Sequence, residues 1–339
     1  MRFGPVPVAQ AVGLIAAHSV RAGDVVVRKG RPIGDGEARA LAASGLDEIV
    51  AVALEPGDVS EDEAAGRLAA ASAGPGLEVA PPFTGRANLH ATRAGVLSIA
   101  RGTIDAVNAV DEAVTLATLA PFKPVVAGEM VATVKIIPYA VPGAVLDRAL
   151  AAIPQPPLAV APYRLSRVAA ISTLLPGLKA SVVDKTLRVL GERLAPAGAG
   201  VVADSRIPHA AGAVAEALGQ AVEGGAELAI VFGASAIADR RDVIPAGIEA
   251  AGGTVEHLGM PVDPGNLLLL GRLGAMPVIG APGCARSPKE NGFDWVLHRL
   301  LAGLPVTRAD VIGLGVGGLL MEIVSRPQPR GGEDSEDEA

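Results

Sequence analysis

Residues 227–235 read Glu227-Leu228-Ala229-Ile230-Val231-Phe232-Gly233-Ala234-Ser235, five consecutive apolar residues running into a glycine-led polar turn. An apolar run without alternation is what a strand buried on both faces requires. Further strand-like runs stand at Arg167–Ser172, Ala199–Ala203, Thr254–Leu258 and Met276–Gly280. Between them, helices are predicted over Asp184–Leu194, His209–Val222, Asp242–Ala251 and Asp294–Ala302. Gly252-Gly253 stops the third of these as a C-cap. Gly265–Leu273 is also read as helical. Strands alternating with helices predict an α/β domain built on a doubly wound sheet over residues 167–325.

Working outward, residues 151–166 carry Pro154, Pro156, Pro157 and Pro162 and read as a stiff linker. Residues 77–150 are expected to form a β-rich domain, with strands in Val96–Ala100, Val114–Leu119 and Glu129–Ile137. A Gly74-Pro75-Gly76 break separates it from a small α/β unit at 1–76. In that unit Ala38–Ala43 is helical in composition and Glu48–Leu54 alternates as a strand. Ser60 and Glu63 have the spacing of a capping box for a helix over Ser60–Ala73. No internal repeat is visible.

Composition narrows the function classes. Half the residues are hydrophobic but only 2% are aromatic, so the cores are aliphatic. No apolar run approaches the ~18–20 residues that cross a bilayer, and the N-terminus lacks the pattern of a signal peptide. With a single cysteine, Cys284, no internal disulfide forms, and a reducing cytoplasm is expected. Five acids in residues 333–338 account for five of the seven net negative charges, leaving −2 for the rest. Residues 326–339 therefore read as a disordered acidic tail. The absence of a basic stripe argues against nucleic acid as a partner.

In an open parallel sheet, ligands bind beyond the carboxyl ends of the strands. Three such ends are polar: Ser172-Thr173, Gly233-Ala234-Ser235 and Gly280-Ala281-Pro282-Gly283-Cys284. Glycines there permit close backbone approach, and helix N-termini offer free N–H groups to an anion. Asp239 and Asp242 are candidates for Mg²⁺, the usual companion of carboxylates and substrate phosphates; alternatively, Asp242 simply caps its helix. Arg286, Ser287 and Lys289 follow on the loop after Gly280, and Arg286 has the planar fork that suits oxyanions. Cys284 is a soft metal ligand or nucleophile in one reading. In the other, which is favoured because no His stands nearby in sequence to activate a thiolate, it is a small residue in a tight turn.

These residues carry a resemblance. Ser172-Thr173 with Gly177 and Asp184 downstream, Gly233–Asp242, and Pro282-Gly283-Cys284 resemble the molybdopterin-binding domain of molybdopterin molybdenumtransferases and adenylyltransferases. Gly259–Asn266, Gly313–Leu319, Arg28-Lys29-Gly30 and Glu61–Ala65 extend the likeness to a bacterial branch of molybdopterin-binding proteins. The chain departs from the catalytic families in having Ser172-Thr173-Leu174-Leu175 where a Thr-Gly-(Asp/Asn)-Glu signature is usual.

The resemblance implies a C-terminal sheet of the molybdopterin-binding type. It implies molybdopterin, free or adenylated, as ligand, with Mg²⁺ and molybdate. Ligand contacts fall to Ser172, Thr173, Asp184, Gly233, Ala234, Ser235, Pro282, Gly283, Cys284, Ser287 and Lys289, and catalytic roles to Asp242 and Arg286. The expected activity is molybdenum insertion into molybdopterin. The alternative is a non-catalytic carrier that hands cofactor to a nucleotidyltransferase or an apo-molybdoenzyme. A homo-oligomer is expected, working with other cofactor-synthesis enzymes or apo-molybdoenzymes and with no membrane partner.

Overall fold

The computed structural model describes residues 1–320. The acidic tail and the end of the 167–325 segment lie outside the described residues. The chain is mixed α/β with several sheets. It divides into two compact units between Tyr163 and Arg164. No helix among the described residues is long and apolar enough to cross a membrane.

In the first unit, strands Arg2–Pro7, Glu48–Ala53 and Ile15–Ala16 form one antiparallel sheet. Its core includes Val8, Ile33, Leu41 and Ile49, with Leu41 supplied by helix Asp35–Ala43. Helix Glu61–Ser72 opens as its sequence dictates: Ser60 Oγ accepts from Glu63 N at 3.3 Å, and three acids fill the first turn. Its buried face, Ala64, Ala65, Leu68 and Ala69, shares one core with Leu89, Leu116 and Val134 of the following strands. The glycine-proline break at 74–76 therefore separates no core. Residues 77–150 also contain helices Arg101–Asn108 and Gly143–Ala151, which are too short to carry a clear period. Within the proline-rich segment 151–166, Leu158–Pro162 is a strand paired with Gly95–Ile99.

The second unit is built on a six-stranded sheet. In chain order its elements are β1 (Arg167–Leu174), α1 (Ala180–Leu194), β2 (Gly200–Pro208), α2 (Ala211–Glu223), β3 (Leu228–Phe232) and α3 (Val243–Ala250). Then come β4 (Thr254–Leu258), β5 (Leu269–Leu273), β6 (Met276–Ala281), α4 (Gly292–Leu301) and α5 (Arg308–Ile312). The strand order is β2-β1-β3-β6-β5-β4. β2, β1, β3 and β6 run parallel; β5 runs antiparallel to β6, and β4, antiparallel to β5, again points in the direction of the first four.

β5 corrects the helix expected at Gly265–Leu273. Leu267–Leu270 is a continuous apolar run with neither period, which does not distinguish a buried strand from a buried helix. Gly274, at φ +59°, supplies the left-handed turn that folds β5 back on β6, pairing Leu273 with Met276.

The period of two sorts the strand residues. Ala169, Ile171, Ala229, Val231 and Val278 pack with Val214 and Leu218 of α2 and with Ile244 and Ile248 of α3. Val168, Ala170, Ser172, Leu228, Ile230 and Phe232 point to the other face and are also buried.

Candidate functional site

The carboxyl ends of β1 and β3 and the loop after β6 converge on a recess of about 240 Å³, lined by Ser172, Thr173, Leu178, Val182, Val183, Thr186, Phe232, Ala234 and Arg286. The strand ends position the polar groups. Ser172 and Phe232 are register partners on β1 and β3, so both side chains stand on the face toward α1. Ser172 is 3% exposed, and among the described residues its hydroxyl has no hydrogen-bond partner. Thr173 is fully engaged: Oγ1 accepts from Ala234 N at 2.8 Å and shares a 2.8 Å hydrogen bond with His209 Nδ1. Gly233 permits this turn, because a Cβ there would lie 2.4 Å from Ser235 O.

Arg286 is half-buried. Its Nη2 donates to Gly233 O at 2.7 Å, and its guanidinium carbon lies 5.8 Å from the Phe232 ring centroid. Burial pushes its guanidinium below the ordinary arginine range. Among the described residues it makes no ion pair.

The loop that carries Arg286 is clamped from beneath by Arg193 of α1. Arg193 donates to the carbonyls of Ala285 (2.9 Å), Ser287 (2.7 Å) and Lys289 (3.2 Å), and through Nε to Asp294 Oδ1. Asn291 completes the clamp, donating to Cys284 O and Lys289 O and capping α4. Cys284 Sγ donates to Asn291 Oδ1 at 3.6 Å, and burial raises its thiol above the ordinary range. That is the environment of a packed turn residue rather than of an activated thiolate. Pro282 and Gly283 open the 3₁₀ turn Gly283–Arg286, with Pro282 O accepting from Ala285 N.

Of the residues predicted for the site, Ser172, Thr173, Ala234 and Arg286 line the recess, and Gly233 shapes it. Asp184, Ser235, Asp239, Asp242, Cys284, Ser287 and Lys289 do not line it. Asp184 is exposed and pairs with Arg206 at 2.8 Å. Asp239 is exposed and pairs with Arg241 at 2.8 Å, which holds its carboxyl below the usual range. Lys289 is exposed. Among the described residues, no cluster of three or more His, Cys, Asp or Glu side chains is arranged to hold a metal ion.

Asp242 caps α3: Oδ1 accepts from Val243 N at 2.7 Å and Oδ2 from Ala238 N at 3.3 Å. Asp242→Asn keeps a capping acceptor and is expected to leave the melting temperature unchanged, whereas Asp242→Ala should lose about 1 kcal/mol. Thermal melts of the two variants check this, and equal losses would show that the carboxylate itself is needed.

Sequence reasoning missed Phe232, His209, Arg193 and the α1 residues Val182, Val183 and Thr186. Arg193 carried a legible signal. It occupies a position in phase with Val183, Thr186, Val189, Leu190 and Leu194, the buried stripe of α1, where an arginine needs a partner.

Comparisons with known proteins add little. Residues 5–53, less than half the chain, match a family model described as a domain of unknown function, DUF8806. No curated protein matches the chain. Among solved structures, the molybdopterin biosynthesis MoeA protein from Pyrococcus horikoshii OT3 aligns over 92% of this chain and 75% of its own length. Its sequence identity is 11% and its TM-score 0.28, a likeness too slight to carry any argument.

Proposed function

We propose that the second unit binds a molybdopterin-class ligand, a phosphorylated pterin, in the strand-end recess, and that the chain serves molybdenum cofactor synthesis. The observation that supports this reading is convergence. Ser172-Thr173, Ala234 and Arg286 come from three separated segments that together resemble a molybdopterin-binding domain, and they border one cavity. Arg286 brings to it a cation that no ion pair among the described residues offsets, the complement of a phosphorylated ligand.

The lining favours the carrier reading over molybdenum insertion. Arg286 is its one charged member, and neither a carboxylate nor an imidazole lines the recess to move a proton or hold Mg²⁺. Calorimetric titration with purified molybdopterin should give a dissociation constant in the micromolar range or tighter, about −8 kcal/mol. Incubation with adenylated molybdopterin, molybdate and Mg²⁺ should give no turnover. Absence of binding heat with both forms of the ligand would reject the reading. Mg²⁺-dependent conversion would replace the carrier with an enzyme.

A further inference from the structure

We infer that the floor of the recess is a seat for one terminal tetrahedral oxyanion, with at most one of its oxygens substituted, held between the Arg286 guanidinium and the Ser172 hydroxyl. The inference rests on the recess being the ligand site, but not on the ligand being a pterin. Two independent observations meet here. Ser172 is 3% exposed with a hydroxyl that no atom of the described residues satisfies, although buried polar groups ordinarily find partners. Arg286 is a half-buried cation without a carboxylate partner among the described residues, tethered through Nη2 to Gly233 O. A bound oxyanion satisfies both, accepting from the hydroxyl and offsetting the charge.

The rest of the lining limits what the seat takes. Thr173 Oγ1 is committed to Ala234 N and His209, and Thr186 Oγ1 donates to Val182 O at 2.8 Å. Leu178, Val182, Val183 and Phe232 are apolar. Recognition thus concentrates on bare oxygens carrying charge. The terminal group of a phosphate monoester and free molybdate share that chemistry. A phosphodiester has carbon on two of its oxygens and only one negative charge.

Calorimetric titration of the full chain with inorganic phosphate, molybdate, phenyl phosphate and dimethyl phosphate tests the seat. Phosphate or phenyl phosphate is expected to bind one to one in the millimolar range or tighter, with dimethyl phosphate about tenfold weaker or worse. Molybdate binding without phosphate binding would equally support the seat and name molybdate as its occupant. Arg286→Gln should weaken binding about tenfold or more, and Arg286→Lys, which keeps the charge but not the fork, should fall between.

Ser172→Ala should weaken binding severalfold. It should also raise the melting temperature of the ligand-free protein by about 2–4 °C, because it removes a buried hydroxyl without a partner. A merely structural serine would not give those opposite signs. Lys289→Gln, on the exposed part of the loop, should leave binding unchanged. Failure of every oxyanion to bind, equal binding of the diester, or an equal loss in Lys289→Gln and Arg286→Gln would overturn the seat. Oxyanion binding without molybdopterin binding would leave the seat standing and reject the pterin reading. Wild-type molybdopterin affinity in Arg286→Gln and Ser172→Ala would do the reverse.

Discussion

Arg193→Ala is expected to lower the unfolding free energy of the second unit by about 3–5 kcal/mol, the range for removing one partner of a buried ion pair. The Arg193 side chain is 8% exposed and that of Asp294 12%. Truncation strands the Asp294 carboxylate and leaves the carbonyls of Ala285, Ser287 and Lys289 without the donor that now reaches all three. Asn291 N still donates to Asp294 Oδ2 at 2.8 Å, which places the loss below that of a wholly unpaired charge. A double variant, Arg193→Met with Asp294→Leu, should recover part of the loss, since a well-packed apolar pair rivals a buried ion pair. Urea unfolding of the three proteins checks both statements. A loss under about 1 kcal/mol in Arg193→Ala would show that the clamp is dispensable. Because the clamp holds the backbone on either side of Arg286, the single variant should also weaken anion binding without touching the recess itself.

Phe232→Ala should cost about 3–5 kcal/mol through lost burial and the void left behind. Phe232 is 1% exposed at the end of β3, so most of its side chain is packed. Its ring also borders the recess, so part of the void joins existing space, which favours the lower end of that range. Phe232→Leu keeps most of the volume and should lose less, while removing the aromatic face beneath Arg286. Chemical denaturation gives the stability order. If Phe232→Leu matches Phe232→Ala, the ring rather than its bulk is what stabilises the end of β3.

Much of the second unit was legible because its strands are short apolar runs ended by glycine-led turns: Leu228–Phe232 lies one residue inside the predicted Glu227–Phe232. Where the period vanished, as in Leu267–Leu270, the reading went to the wrong element, since only the pairing of Leu269–Leu273 with Met276–Ala281 decides it. The site divides along similar lines. Residues that touch the recess through strand geometry, Ser172, Thr173 and Ala234, could be placed by counting along β1 and β3. On the loop after β6 counting fails: Arg286 turns inward while Lys289, three residues on, is exposed. That choice depends on Arg193 and Asn291 holding loop carbonyls, a long-range arrangement with no local signature. Asp184 and Asp239 were plausible by type, yet each is held by an arginine outside the recess.

β2 is an outermost strand of the six-stranded sheet and, among the described residues, pairs on one side only, with β1. A nine-residue strand with a free ladder is a template on which another chain can polymerise. Two features blunt it. Val168 faces Val201 while Ala169 faces Ala203, so Val202 is an extra, bulged residue that interrupts the row of hydrogen-bonding groups. Beyond the bulge, Asp204 and Arg206 stand on the rim, bound to each other at 3.0 Å, and an incoming strand would have to desolvate that pair. The guard on this edge therefore rests on a few residues, one of which, Arg206, is the register partner of Ser172 in the recess, so that smoothing the rim to valine and threonine would both open a pairing edge and disturb the strand end that carries Ser172.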